Sequence, residues 1–219
     1  MSEKPVLSFV GGTGPEGLGL AMRFAHAGHQ VIVGSRRKDR AEEGAAKISS
    51  RVPGAKVKGM ENQEAVVAGS VVFITVPFDA QRETLEGLKD AFDSKIAVST
   101  VVPMKFEKGK ISAVLVEEGS AAQQAQKILA KARVVAAFQN LSAKELADVE
   151  HEVPSDVVAC SDDLEAKKLV IGLASCIKGV RGIDGGGLAN ARYVEDITVL
   201  LLNINKVYKT QSSIKIVGV

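Results

Sequence analysis

The residues best suited to chemistry come early in the chain, where Gly12-Thr13-Gly14-Pro15-Glu16-Gly17 has GxGxxG spacing. In that pattern the first glycine permits a tight turn, the second lets backbone approach a pyrophosphate, and the third lets a helix pack closely on a strand. A helix opening there offers unpaired N–H groups and the positive end of its dipole to the phosphates. About 20 residues on, a site for NAD would carry Asp or Glu to hold a free ribose 2′-hydroxyl. This chain has Gly34-Ser35-Arg36-Arg37-Lys38 instead. A carboxylate repels a 2′-phosphate, whereas guanidinium groups bind it bidentately and Ser35 can donate a further hydrogen bond. The pattern predicts NADP(H), held by Gly12, Thr13, Gly14, Pro15, Glu16, Gly17, Ser35, Arg36 and Arg37.

Two further stretches belong to the same edge. Thr75-Val76-Pro77-Phe78 and Ser99-Thr100-Val101-Val102-Pro103 each follow an apolar run. Ligands of an open parallel sheet sit beyond the carboxyl ends of its strands, so Val76, Pro77 and Val102 are expected to flank the nicotinamide. No nucleophile–base pair or triad is visible. His26, His29 and His151 lack metal-ligand spacing, and no metal is expected. Cys160 and Cys176 lack CxxC spacing and read as two reduced, partly buried thiols.

The elements that must position these residues follow from hydrophobic periodicity. Apolar runs at residues 6–10, 31–33, 71–76 and 96–102 predict strands, 56–59 is a candidate short third strand, and amphipathic segments at 18–27, 39–50, 64–68 and 80–92 predict helices between them. Strict alternation of this kind means right-handed crossovers and an α/β fold with a doubly wound parallel sheet, a Rossmann-type NAD(P)-binding fold. Beyond residue 105 the order loosens. Residues 105–110 read as a charged loop, 134–138 and 157–160 as strands, and 162–177 as a helix, while Ser120 can cap a helix running to about 131. The last helix, residues 190–208, is apolar nearly all round, which suits a buried core or a subunit contact. The tail at 213–217 reads as a strand. Residues 1–150 are taken as the NADP-binding core, and 151–219 as a small, helical C-terminal extension that packs on the core and completes the substrate cleft.

Composition narrows the function classes. The 219 residues carry 28 basic and 26 acidic side chains, a net charge of +2, which lacks the concentrated positive field that nucleic acid or a membrane surface requires. No run approaches the roughly 20 apolar residues of a membrane span, and Met1-Ser2-Glu3-Lys4 lacks a signal-peptide pattern, so a cytoplasmic location is expected.

Taken together, these residues resemble the NADPH-dependent reductases of the deazaflavin coenzyme F420, over nearly the whole chain. The carriers are GGTGPEGLG at residues 11–19, VGSRR at 33–37, TVPFDA at 75–80, VVPMK at 101–105, ACSDD at 159–163, DGGGLANAR at 184–192 with Val194-Glu195 after it, and Ile214-Lys215-Ile216. The resemblance implies reversible hydride transfer between NADP(H) and coenzyme F420 in a homodimer. Hydride passes directly between stacked rings, so no side chain is assigned as catalytic. Gln139, Asn140 and Thr198 are the expected substrate contacts. Gln139 stands where family members often have histidine, and it cannot supply a proton near neutral pH. Asp196 stands where the resemblance leads one to expect a small or neutral residue. Two other readings keep the NADPH site: reduction of an imine, carbonyl or pterin-like acceptor, and a non-catalytic NADPH sensor.

Overall fold

The computed structural model describes residues 4–219. Its centre is a six-stranded sheet of β1 (Leu7–Val10), β2 (Val31–Ser35), β3 (Val57–Glu61), β4 (Val71–Ile74), β5 (Ile96–Ser99) and β8 (Arg133–Ala136). Their order is β3-β2-β1-β4-β5-β8, and every pairing is parallel. The strand order reverses between β1 and β4, and this switch point creates the crevice of a doubly wound fold.

Side chains alternate across the central strands, so each contributes to two cores. Leu7 and Phe9 of β1, Val71 and Phe73 of β4, and Val98 of β5 face α1 (Pro15–His26) and α7 (Leu164–Ala174). Phe9 stacks on Phe73 at 4.7 Å, and Phe24 and Phe138 extend the aromatic cluster. On the opposite face, Val10, Val72, Ile74 and Ala97 meet α3 (Asn62–Ala68), α4 (Phe78–Leu88) and α5 (Ala121–Ile128). These central strands are buried on both faces, which is why they read as continuous apolar runs.

Several elements depart from the expected boundaries. α1 begins at Pro15, inside the glycine motif, because proline needs no hydrogen-bond acceptor at the first helical position. β4 and β5 end at Ile74 and Ser99, leaving residues 75–77 and 100–103 as rims outside the strands. α5 stops at Ile128, where Gln126 Nε2 donates to the carbonyls of Leu129 and Ala132. The charged loop at 105–110 is instead part of an antiparallel hairpin, β6 (Met104–Glu107) and β7 (Lys110–Ala113). Lys108 and Gly109 turn it with φ of +46° and +77°, the left-handed pair that two-residue hairpin loops require. A parallel pair, β9 (Ser155–Ala159) and β10 (Val180–Asp184), had only its first strand legible. α6 (Ala143–Leu146) is a four-residue helix without an apolar period.

The tail at 213–217 is not a strand. One backbone bond, from the Asp156 N–H to the Ile214 carbonyl at 2.7 Å, joins it to β9; beyond that Asp156 Oδ2 takes the Ile216 N–H at 2.6 Å and Arg181 donates to the carbonyls of Ile216 and Val219, so side chains stand in for the rest of a ladder. Arg181 also clasps Asp156 at 3.1 and 2.8 Å, and this ion pair holds the buried carboxyl below the usual carboxylate range. Cys160 is buried, but Cys176 is exposed. No helix among the described residues is long and apolar enough to cross a membrane.

Candidate functional site

The glycine turn opens the site. The Gly12 N–H donates to the Gly34 carbonyl at 2.9 Å, pinning the turn between β1 and β2. A Cβ at Gly12 would lie 2.6 Å from Phe9 Cβ, and one at Gly17 would lie 2.8 Å from Gly12 Cα, so neither position has room for a side chain. Gly14 faces open space, which is the room that an approaching ligand needs. Asn62, at the start of α3, accepts from the Gly11 N–H at 3.2 Å and fixes the turn from below.

From this turn a cleft of about 1110 Å³ runs along the carboxyl ends of the strands. That volume exceeds the roughly 300–1,000 Å³ of a single small-ligand site, so two ligands can share it. Thr13, Gly14, Pro15, Glu16 and Gly17 line one end, with Ser35 and Arg36 beside them. Val76, Pro77 and Val102 form the middle, and Gln139, Asn140 and Thr198 the far end. Of the expected residues only Gly12 and Arg37 are outside this lining. Gly12 is packed beneath the turn. Arg37 belongs to a smaller adjoining pocket of about 450 Å³, shared with Thr13, Ser35, Arg36, Arg40 and Lys47.

The basic cluster is not uniform. Arg37 gives both arms of its guanidinium to Asp39, which raises the arginine's pKa and lowers the carboxyl's. Arg40 pairs with Glu43 at 3.1 Å. Arg36 lines both cavities and forms no ion pair among the described residues. It is therefore the guanidinium best placed for a phosphate.

The far end is built on a strained turn after β8. Phe138 has a φ of +73°, and its ring is held in the aromatic core. This left-handed residue turns the chain so that Gln139 reaches β5, where its Nε2 donates to the Ser99 carbonyl at 3.2 Å. Gln139 Oε1 is buried with no hydrogen-bond partner among the described residues. Gln139 lines the cleft, and turning its amide outward would give this acceptor to an N–H donor on a ligand ring. Asn140 Nδ2 donates to the Val194 carbonyl at 2.9 Å and to Thr198 Oγ1 at 2.8 Å, tying this turn to α8 (Ala191–Tyr208). Asn140 and Thr198 thereby hold the far wall as well as line it.

α8 itself is anchored by Glu195, which accepts the Ala121 and Ala122 N–H groups at the start of α5 at 2.8 and 3.0 Å. Burial still pushes its carboxyl up to about 7. Asp196 points away on the exposed side, so its charge does not enter the cleft. Sequence reasoning missed Asn62, Lys144, Asn205, Gln211 and Ser212 in the lining. Ser142 Oγ donates to Gln211 Oε1 at 2.8 Å, joining the turn to the tail at the cleft mouth. Only Asn62, a polar residue opening a helix, carried a local signal.

No group of three or more His, Cys, Asp or Glu among the described residues could hold a metal ion. The arrangement can hold a dinucleotide extended from a phosphate-binding end to a ring-binding end, with a second planar molecule against it.

Residues 6–103 match the family model described as NADP oxidoreductase coenzyme F420-dependent. An F420-dependent NADP reductase of Methanocaldococcus jannaschii is 39% identical over 213 residues, 94% of this chain and 95% of that protein. One from Methanothermobacter marburgensis is 42% identical over 205 residues, 91% of this chain and 92% of that protein. A crystal structure described as a putative F420-dependent NADP-reductase from Arthrobacter sp. FB24 superimposes with a TM-score of 0.83 at 21% identity, over 99% of this chain and 100% of that one, and shares the fold. With such identities over almost the full length of both relatives, the chain belongs to the F420-dependent NADP reductases.

Proposed function

We propose that this protein transfers a hydride between NADP(H) and the deazaflavin coenzyme F420. The observation that carries the reading is the single cleft joining the glycine turn and Arg36 to Gln139 and Thr198. The nicotinamide and deazaflavin supply the redox chemistry themselves, through a hydride exchanged between stacked rings. The protein's part is binding, orientation and exclusion of water. The turn amides and the α1 N-terminus hold the pyrophosphate, while Ser35 and Arg36 hold the 2′-phosphate. Val76, Pro77 and Val102 give the nicotinamide an apolar seat. Gln139 offers its free oxygen to the N–H of the second ring, and Asn140 and Thr198 set the wall behind it. Residues 1–150 supply the NADP(H) half, and residues 151–219 close the acceptor half through Thr198, Leu201 and Gln211.

Purified protein, NADPH and oxidised F420 test the reading. Absorbance in the deazaflavin band is expected to bleach in proportion to enzyme. Tight NADPH binding without bleaching would direct the search to imine, carbonyl or pterin-like acceptors, or to a sensor.

The protein also acts as a cytoplasmic homodimer in this reading. Tyr193, Leu200 and Val207 recur every seven residues on α8 and are 66%, 57% and 72% exposed, an apolar stripe that a second copy would cover. Light scattering is expected to give twice the 23.0 kDa chain mass, and Leu200→Glu is expected to reduce it to one.

A further inference from the structure

Among the described residues, one carboxyl group of the cleft has a buried oxygen with no partner. Glu16, the second residue of α1, lines the cleft, and its Oε1 is buried without a hydrogen bond to any described residue. The charged groups facing the cleft from other elements are Arg36 after β2, Glu61 at the end of β3, Glu83 of α4 and Lys144 of α6. Neither of the two cations forms an ion pair with Glu16. What favours a charge there is the N-terminus of α1 alone, with its free amides and dipole. A pyrophosphate entering the glycine turn needs those same amides. Two anions at one helix pole with no cation between them repel, and in a buried place the repulsion is poorly screened. Burial without a partner already pushes this carboxyl up to about 8.

We infer that NADP(H) binds the form of the protein in which Glu16 is a neutral acid, so that dinucleotide binding takes up one proton wherever the free enzyme holds Glu16 ionised. The neutral acid keeps both an acceptor and an O–H donor, and the donor suits an oxygen of the dinucleotide. The only bond formed on the protein is that O–H, and its proton comes from solvent. Glu16 is then a positioning residue that ties cofactor affinity to pH on the alkaline side. This inference rests on NADP(H) as the ligand of the cleft.

Calorimetric titration of the full chain with NADPH, in buffers of different ionisation enthalpy, counts the protons. Near pH 9 about one proton should be taken up per NADPH bound, and near pH 7 almost none. The dissociation constant should rise toward tenfold per pH unit above about 8, the limit for one linked proton. The 2′-phosphate does not blur this window, since a phosphomonoester completes its ionisation near pH 6. Glu16→Gln should abolish the uptake and flatten the profile, whatever its absolute affinity. Glu83→Gln, which removes another cleft carboxyl, should keep the wild-type slope. NADPH binding near pH 9 with no proton uptake, or uptake that persists in Glu16→Gln, overturns the role of Glu16 and leaves the NADP(H) site standing. Absence of NADPH binding at every pH overturns both. The wild-type proton count decides even if a variant does not fold.

Discussion

Replacing Arg36 with alanine is expected to raise the dissociation constant for NADPH by about 10- to 100-fold, while NADH changes by less than about threefold. The two nucleotides differ only in the 2′-phosphate, so the ratio isolates the contact with that group. Arg36 is the guanidinium shared by the large cleft and the basic pocket beside it, and it has no ion pair to give up. Arg37→Ala should cost NADPH less, because its guanidinium is occupied by Asp39 and must leave that pair before it can bind a phosphate. Fluorescence titration of both nucleotides against both variants measures the ratio. Equal losses for NADPH and NADH in Arg36→Ala would remove the 2′-phosphate assignment.

The second large effect concerns stability. Arg23 of α1 is 2% exposed, and no carboxylate is bonded to it. Its guanidinium donates instead to five backbone carbonyls: Leu146 at 3.0 Å, Val149 at 3.2 Å, His151 at 2.7 Å, Glu145 at 2.5 Å and Asp148. The Leu146, Val149 and His151 carbonyls have no other donor among the described residues, whereas those of Glu145 and Asp148 also take the backbone N–H groups of Asp148 and His151 at 3.3 and 3.2 Å, so one side chain satisfies the acceptors left open after α6. Desolvation lowers the pKa of Arg23, and the carboxylates of Asp148, Glu145 and Glu150 partly oppose it. Arg23→Met keeps the volume and strands the carbonyls of Leu146, Val149 and His151. It is expected to cost about 3–5 kcal/mol, by analogy with removing one partner of a buried charged cluster. At roughly 2–4 °C per kcal/mol for a domain of this size, the melting temperature should fall by about 6–20 °C. Arg23→Lys should recover part of this, since an ammonium reaches fewer of the five acceptors. A melting temperature unchanged in Arg23→Met would show that water replaces the guanidinium without cost.

The sequence was most legible where one local pattern decides the outcome. The run of β1 into Gly12-Thr13-Gly14 and the switch to Ser35-Arg36-Arg37 after β2 showed the dinucleotide end, because turn geometry and charge act within a few residues. The strands β1, β2, β4 and β5 were equally open to reading, since burial on both faces leaves continuous apolar runs, whereas β3 carries exposed Lys58 and Glu61 and has no such run. The far end was harder for a physical reason. Gln139 is oriented by Ser99, 40 positions away, and Asn140 by Val194 and Thr198, more than 50 positions away. No local period encodes such contacts. α6 and its partner Arg23 were hidden in the same way, because an arginine inside an amphipathic helix looks like a solvated one until the chain returns to meet it. The hairpin at 104–113 escaped because Lys108-Gly109 lacks the usual Asn-Gly or Asp-Gly turn signature, and its alternation, with Met104, Phe106, Ile111 and Ala113 on one face, runs for only four residues in each strand. The tail misled in the opposite direction: its apolar residues look strand-like, but Asp156 and Arg181 hold them with side chains.

The bridge between Ala136 and Cys160 has a consequence for behaviour in concentrated solution. The two residues exchange both backbone hydrogen bonds, at 2.9 and 3.0 Å, in antiparallel sense. A row of unpaired amides along an outer strand is a template on which another chain can polymerise. At β8 the bridge fills part of that row with a strand running the opposite way, so an incoming parallel strand finds it obstructed. The next strand outward, β9, is overlaid by the tail through the Asp156 N–H and the Ile214 carbonyl at 2.7 Å. At the other end of the sheet, β3 carries the exposed charges of Lys58 and Glu61. The chain thus guards both borders of its sheet against templated aggregation with its own segments and charges, without calling on a second copy.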